Sequence, residues 1–120
     1  MFIFLDDVRF PGDVKWINYE EDVLSMDRYI PRTYNDFKLL IHLLHDDDIL
    51  RDCIFSFDHD IQCFGRQGKE YTGQSCLLFL IEWCVETNIP LPKCYFHSMN
   101  PVGRKNMQEI YDVWKLRLEE

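Results

Sequence analysis

Residues 53–60 read Cys-Ile-Phe-Ser-Phe-Asp-His-Asp. A short, mostly apolar run breaks directly into two acids flanking an imidazole. Such a run suits a strand buried on both faces, as in a parallel sheet. The same figure recurs twice: Phe2-Ile3-Phe4-Leu5 breaks into Asp6-Asp7-Val8-Arg9, and Cys94-Tyr95-Phe96 into His97-Ser98-Met99-Asn100. Tyr29–Tyr34 reads as a further strand, which Pro31 places near an edge. Between the strands the apolar period becomes helical. Phe37, Leu40, Ile41 and Leu44 follow a cap at Asn35; Leu77, Leu80, Ile81 and Cys84 follow a cap at Thr72 and stop at Asn88 and Pro90. Ile110, Tyr111, Trp114 and Leu118 follow Asn100-Pro101, an N-cap with proline at the first helical position. The order strand, loop, strand, helix, strand, helix, strand, helix predicts an α/β fold with a mainly parallel four-stranded sheet. Residues 13–27 support at most a short helix. Asp46-Asp47-Asp48 reads as a solvated turn, and 61–71 as a loop.

With 120 residues the chain makes one domain, 1–120, long enough to bury a real core. At 47% apolar and 15% aromatic it is not disordered. Thirteen Lys+Arg against 21 Asp+Glu give −8, a poor balance for gripping an extended nucleic-acid backbone or an anionic membrane. Five cysteines without a C-x-x-C argue against a disulfide framework and a structural zinc site, and predict reduced thiols. The apolar start is too short for a signal peptide, and there is no membrane-length apolar run, so a cytoplasmic protein is expected.

In parallel α/β sheets ligands bind beyond the carboxyl ends of the strands, where the polar clusters fall. Asp6, Asp7 and Asp58 suit one hard divalent cation, Mg²⁺ or Mn²⁺, or else are solvated turns. No organic cofactor is expected. His59 and His97 are the candidate acid and base, with Asp58 and Asp60 as their catalytic partners and Asp60 orienting a ring. Arg9, Ser98, Asn100, Gly103 and Arg104 are the candidate phosphate-binding residues, because a helix start offers free N–H groups, with Lys105 beside them. The alternative there is an ordinary capped helix. Thr72-Gly73 offers a weaker second helix start. His42 and His45 lack such a context and read as structural or surface residues. The pattern points to phosphoryl or phosphodiester chemistry.

The double Asp after the first strand, the Asp ending the third and the Ser after the fourth resemble a receiver domain. FLDDVRFP (4–11), FSFDHDI (55–61), Thr72-Gly73 and FHSMNPVGRKNM (96–107) resemble, more specifically, the cyclic-phosphate processing receiver-like domain of bacteria and their phages. The resemblance runs from Phe2 to about Trp114. It implies a flavodoxin-type, three-layer sandwich with strand order 2-1-3-4, and phosphoesterase-type hydrolysis of a cyclic phosphate on a small nucleotide or an RNA 2′,3′-cyclic end. The fifth receiver strand and its phosphate-binding Lys are absent, which disfavours phosphoacceptor signalling through Asp58. Gln62 stands where the resemblance leads one to expect Gly. The competing reading is a non-catalytic, receiver-derived module that binds a nucleotide or a protein partner.

Overall fold

The computed structural model describes residues 1–44 and 47–119. Strand β1 (Phe2–Leu5) lies at the centre of a parallel sheet between β2 (Arg28–Tyr29) and β3 (Ile54–Phe57), and β6 (Lys93–Phe96) flanks β3. The order β2-β1-β3-β6 bears out the expected 2-1-3-4 arrangement and the α/β fold class. All four residues of β1 are fully buried, as a two-sided apolar strand requires. Register aligns Leu5, Phe57 and Phe96 across the three longer strands, so their polar continuations leave the sheet at one edge.

Alternation along the strands sorts the core into two clusters. Ile3, Leu5, Phe55, Phe57 and Phe96 face helices α1 (Tyr34–Leu43), α3 (Gly73–Thr87) and α4 (Pro101–Glu119). Phe2 and Phe4, with Ile54 and Tyr95 beside them, face Val14, Tyr19 and Val23 instead. The third layer is therefore no helical layer. It is the segment after β1, ordered only by the 3₁₀ turns Pro11–Asp13 and Val23–Ser25. The expected buried residues of α3 are buried; in α4 the most deeply buried side chains are Met107 and Tyr111, with Ile110, Trp114 and Leu118 packed at the margin.

Several expectations shift. The second strand spans only Arg28–Tyr29, not Tyr29–Tyr34, since Pro31 has no N–H for the ladder. Thr33 rather than Asn35 caps α1, accepting a hydrogen bond from Asp36 N (3.1 Å). His45 and Asp46 lie outside the described residues; Asp47 and Asp48 fall in a short helix, α2 (Asp47–Arg51), rather than in a turn. His42 is exposed and meets the ring of Trp83 edge-on. Residues 61–71 are not a plain loop: β4 (Cys63–Phe64) pairs antiparallel with β5 (Glu70–Tyr71). The five cysteines are free thiols, four of them buried. No helix among the described residues is long and apolar enough to cross a membrane.

One contact ties the fold to the polar edge. Gly73 N donates to His59 O (2.8 Å), and a Cβ at Gly73 would sit 1.6 Å from Asp58 O. The start of α3 therefore presses directly on the backbone leaving β3. Gly73→Ala is expected to cost roughly 3 kcal/mol, read by urea denaturation. Gly12→Ala, where an added Cβ meets nothing within 4 Å, is expected to stay within about 0.5 kcal/mol of the wild type.

Candidate active site

Asp6 continues the alternation of Phe2 and Phe4 and is fully buried. Its Oδ1 accepts from Val8 N (2.9 Å) and Arg9 N (2.8 Å), which folds the chain sharply after β1. Its Oδ2 accepts from His97 Nε2 (3.1 Å). Burial pushes the Asp6 carboxyl up. The hydrogen bonds from His97 and from the backbone of Arg9 and Val8 outweigh it and hold Asp6 at about 2.

An ionised Asp6 accepts only, so Nε2 of His97 is the donor. The other ring nitrogen, Nδ1, lies 2.7 Å from Ser56 Oγ, which lies 2.7 Å from Tyr19 OH. The run is fully paired when Tyr19 donates to Ser56 and Ser56 donates to Nδ1. His97 is fully buried, its ring stacked on Phe4 (4.3 Å, 7°), and its carbonyl accepts from Trp16 Nε1 (2.7 Å). Both its nitrogens are engaged, and neither is open to a ligand.

His59 sits differently. Asp58 Oδ1 accepts from His59 N (2.9 Å), which fixes the turn. The ring Nδ1 lies 2.8 Å from Asp60 Oδ1, and Nε2 makes no hydrogen bond among the described residues. That bond holds the Asp60 carboxyl below its ordinary range, with help from Asn100 Nδ2 (3.2 Å). Asn100 Oδ1 accepts from Gly103 N (3.1 Å) and so caps α4. A Cβ at Gly103 would lie 2.4 Å from the His59 ring, so only glycine lets α4 approach this closely. Ser98 Oγ accepts from Asn100 N (3.1 Å), leaving its hydroxyl proton to donate elsewhere.

Beyond the strand ends lies a cleft of about 190 Å³, lined by Asp7, Arg9, Asp58, Asp60, Ser98 and Asn100 among others. Arg9 Nη1 stands 3.5 Å from Asp6 Oδ2 and 3.8 Å from Asp58 Oδ2. Burial, and then the charge of Asp6, push the Asp58 carboxyl above its ordinary range; His97, the His59 N–H and Arg9 oppose this only in part. Gln62 also lines the cleft with φ 47°, the left-handed backbone that favours glycine. A wider groove of about 540 Å³ shares Ser98 and Met99 with the cleft and runs along α4 past Trp16, Arg104 and Lys105.

A model of the cyclic-phosphate processing receiver domain matches residues 1–112. The chain belongs to this family. No curated protein and no solved structure matches it. For this receiver-family chain, the strand-end motifs gather as expected: Arg9, Asp7, Asp58, Asp60, Ser98 and Asn100 meet in one cleft. His59 stands behind Asp60, and Gly103 packs on its ring. Arg104 lines the neighbouring groove, and His97 lies beneath the site. The weaker helix start at Thr72-Gly73 is closed, because its Gly73 N–H is given to His59 O.

The expected cation site does not assemble from Asp6, Asp7 and Asp58. The described acids and imidazoles that converge are Asp6, Asp58 and His97, with ligand atoms within 4.8 Å of one another; Asp7 is not among them, though it lines the same cleft as Asp58. Those three also fit a metal poorly: both nitrogens of His97 and both oxygens of Asp6 already have partners, and a guanidinium lies against both carboxylates.

Sequence reasoning missed four supporting residues. Ser56 is the one polar residue within β3, and that exception was a readable signal. Tyr19, Trp16 and Arg32 carried none. Arg32 Nη1 donates to the carbonyls of Asp6 (3.1 Å) and Arg9 (2.7 Å), holding the turn from below.

The two central carboxyls have opposite pH signatures. Asp6 is depressed, so it stabilises the fold above its unfolded value near 3.8 and that contribution is lost as pH falls toward about 2. Asp58 is raised, so its ionisation costs stability as pH climbs from its unfolded value through its folded one. Asp58→Asn is therefore expected to be more stable than wild type at neutral pH, with the gap closing in acid. Denaturation midpoints across that range check it.

Proposed function

We propose that the chain hydrolyses a cyclic phosphate carried by a small nucleotide or an RNA end. The observation that carries this is the single cleft uniting a guanidinium, a buried carboxyl of raised pKa and the capped start of α4. Arg9 offers charge-assisted hydrogen bonds to phosphate oxygens, and Ser98 offers its free hydroxyl proton. Asp58 is the cleft's proton donor in this reading, a carboxyl raised above its ordinary range by burial and by the neighbouring charge of Asp6. With Asp60 holding the proton on His59 Nδ1, the lone pair on Nε2 serves as general base from behind the cleft, reaching the attacking water through a second water. Water loses a proton to that base as its oxygen bonds to phosphorus. The ring P–O bond breaks, and Asp58 protonates the departing oxygen, giving a phosphomonoester. His97 stays beneath this chemistry and positions Asp6.

The groove beside the cleft favours a nucleoside over a bare ring phosphate. Trp16 and Met99 offer soft, flat surface to a base, and Arg104 and Lys105 offer positive charge. The net charge of −8 argues against a longer backbone.

The test is product release from 2′,3′-cyclic mononucleotides and from RNA ending in a cyclic phosphate. Wild type is expected to yield the phosphomonoester, and His59→Ala and Asp58→Asn to lose about 100-fold or more. Ligand bound but recovered intact, on mass analysis, would instead make the chain a binding module. Turnover unchanged in both variants would remove them from the chemistry.

A further inference from the structure

We propose that Arg9 is the resident cation of this cleft, and that Asp6 and Asp58 take up no divalent metal while it is in place. Paired acids after parallel strands suggest a metal, and the sequence encouraged that expectation. The side chains lead elsewhere.

A hard cation such as Mg²⁺ requires several free oxygens in near-octahedral array. Asp6 has none to give: Oδ1 takes two backbone N–H groups, and Oδ2 takes His97 Nε2 and faces Arg9. His97 has no free lone pair, since Nε2 donates to Asp6 and Nδ1 is paired with Ser56. Asp58 Oδ1 takes His59 N. What remains of the converging cluster is Asp58 Oδ2, and Arg9 faces it at 3.8 Å.

Arg9 is also built into its position. Its own N–H bonds to Asp6, its carbonyl accepts from Arg32, and its guanidinium lies over the Trp16 ring at 5.3 Å and reaches Met99 Sδ at 3.5 Å. The planar guanidinium touches two carboxylates at once, which a single small ion would otherwise have to do. It is part of the chain, so the charge it brings to the cleft does not vary with metal supply.

The assignment stands apart from the hydrolytic reading and is tested without turnover. Wild type, Arg9→Gln and Arg9→Ala are titrated with Mn²⁺ under electron paramagnetic resonance, and melted with millimolar Mg²⁺ or Mn²⁺ against EDTA. Wild type is expected to leave the free-Mn²⁺ signal unchanged and to melt at the same temperature in metal and in EDTA. The variants are expected to quench the signal and to melt several degrees higher with metal than without. Quenching by wild type, which needs no variant to fold, overturns the proposal. Folded variants that bind no more Mn²⁺ than wild type overturn the assignment of the exclusion to Arg9.

Discussion

A carboxylate with no access to water must be given partners or lose its charge. Asp6 keeps its charge, and the edge of the sheet is arranged around that fact. Two of its four acceptor sites fold the backbone after β1, which aims Arg9 back across the strand ends. A third reaches past β3 to His97 and fixes the ring that leaves β6. The ring in turn needs an acceptor or donor on its far side, which Ser56 and then Tyr19 supply. The irregular layer over the sheet, with no helix of its own, is thus anchored by hydrogen bonds from Tyr19 and Trp16 as well as by apolar packing.

The same constraint divides the two histidines. His97 lies on the inner side of Asp6, dry and fully paired. His59 lies on the outer side of Asp58, one nitrogen held by a half-exposed acid and the other without a hydrogen bond among the described residues. Two residues with the same place in the sequence pattern, directly after or one past a buried strand, receive different environments. The cause is the direction in which each chain turns on leaving the sheet. The acids are divided in a similar way: Asp6 is held ionised by donors, while Asp58, a neighbour with fewer donors, bears the repulsion.

Much of this was legible in the residues. The order of elements, the parallel sheet and the meeting of three polar strand ends followed from apolar runs that stop abruptly. Capping at Thr72 and Asn100 was legible too, because the hydroxyl and amide at a helix start have local geometry. What was not legible depended on depth. Nothing in the string distinguishes a His stacked on a buried phenyl ring from one at a rim, and the spacing of Asp6 and Asp7 does not tell that one turns inward and the other out. The covering segment 10–27 has no period to read, so Trp16 and Tyr19 passed as loop residues. Arg9 read as a phosphate ligand or a partner for an acid; its simultaneous hold on two carboxylates is a tertiary fact.

The corner at residues 58–60 lies between two glycines. Gly73, opening α3, presses on the backbone of Asp58, and Gly103, in the first turn of α4, presses on the ring of His59. Neither contact has slack for a single methyl group. Mechanically the corner is a wedge seated between two levers, each a helix of three turns or more. A load applied to the first turn of α4, where Arg104 and Lys105 face the open groove, has no compliant side chain to absorb it before it reaches the imidazole. The close seat of Gly103 on the ring ties the placement of His59 to the position of the first turn of α4.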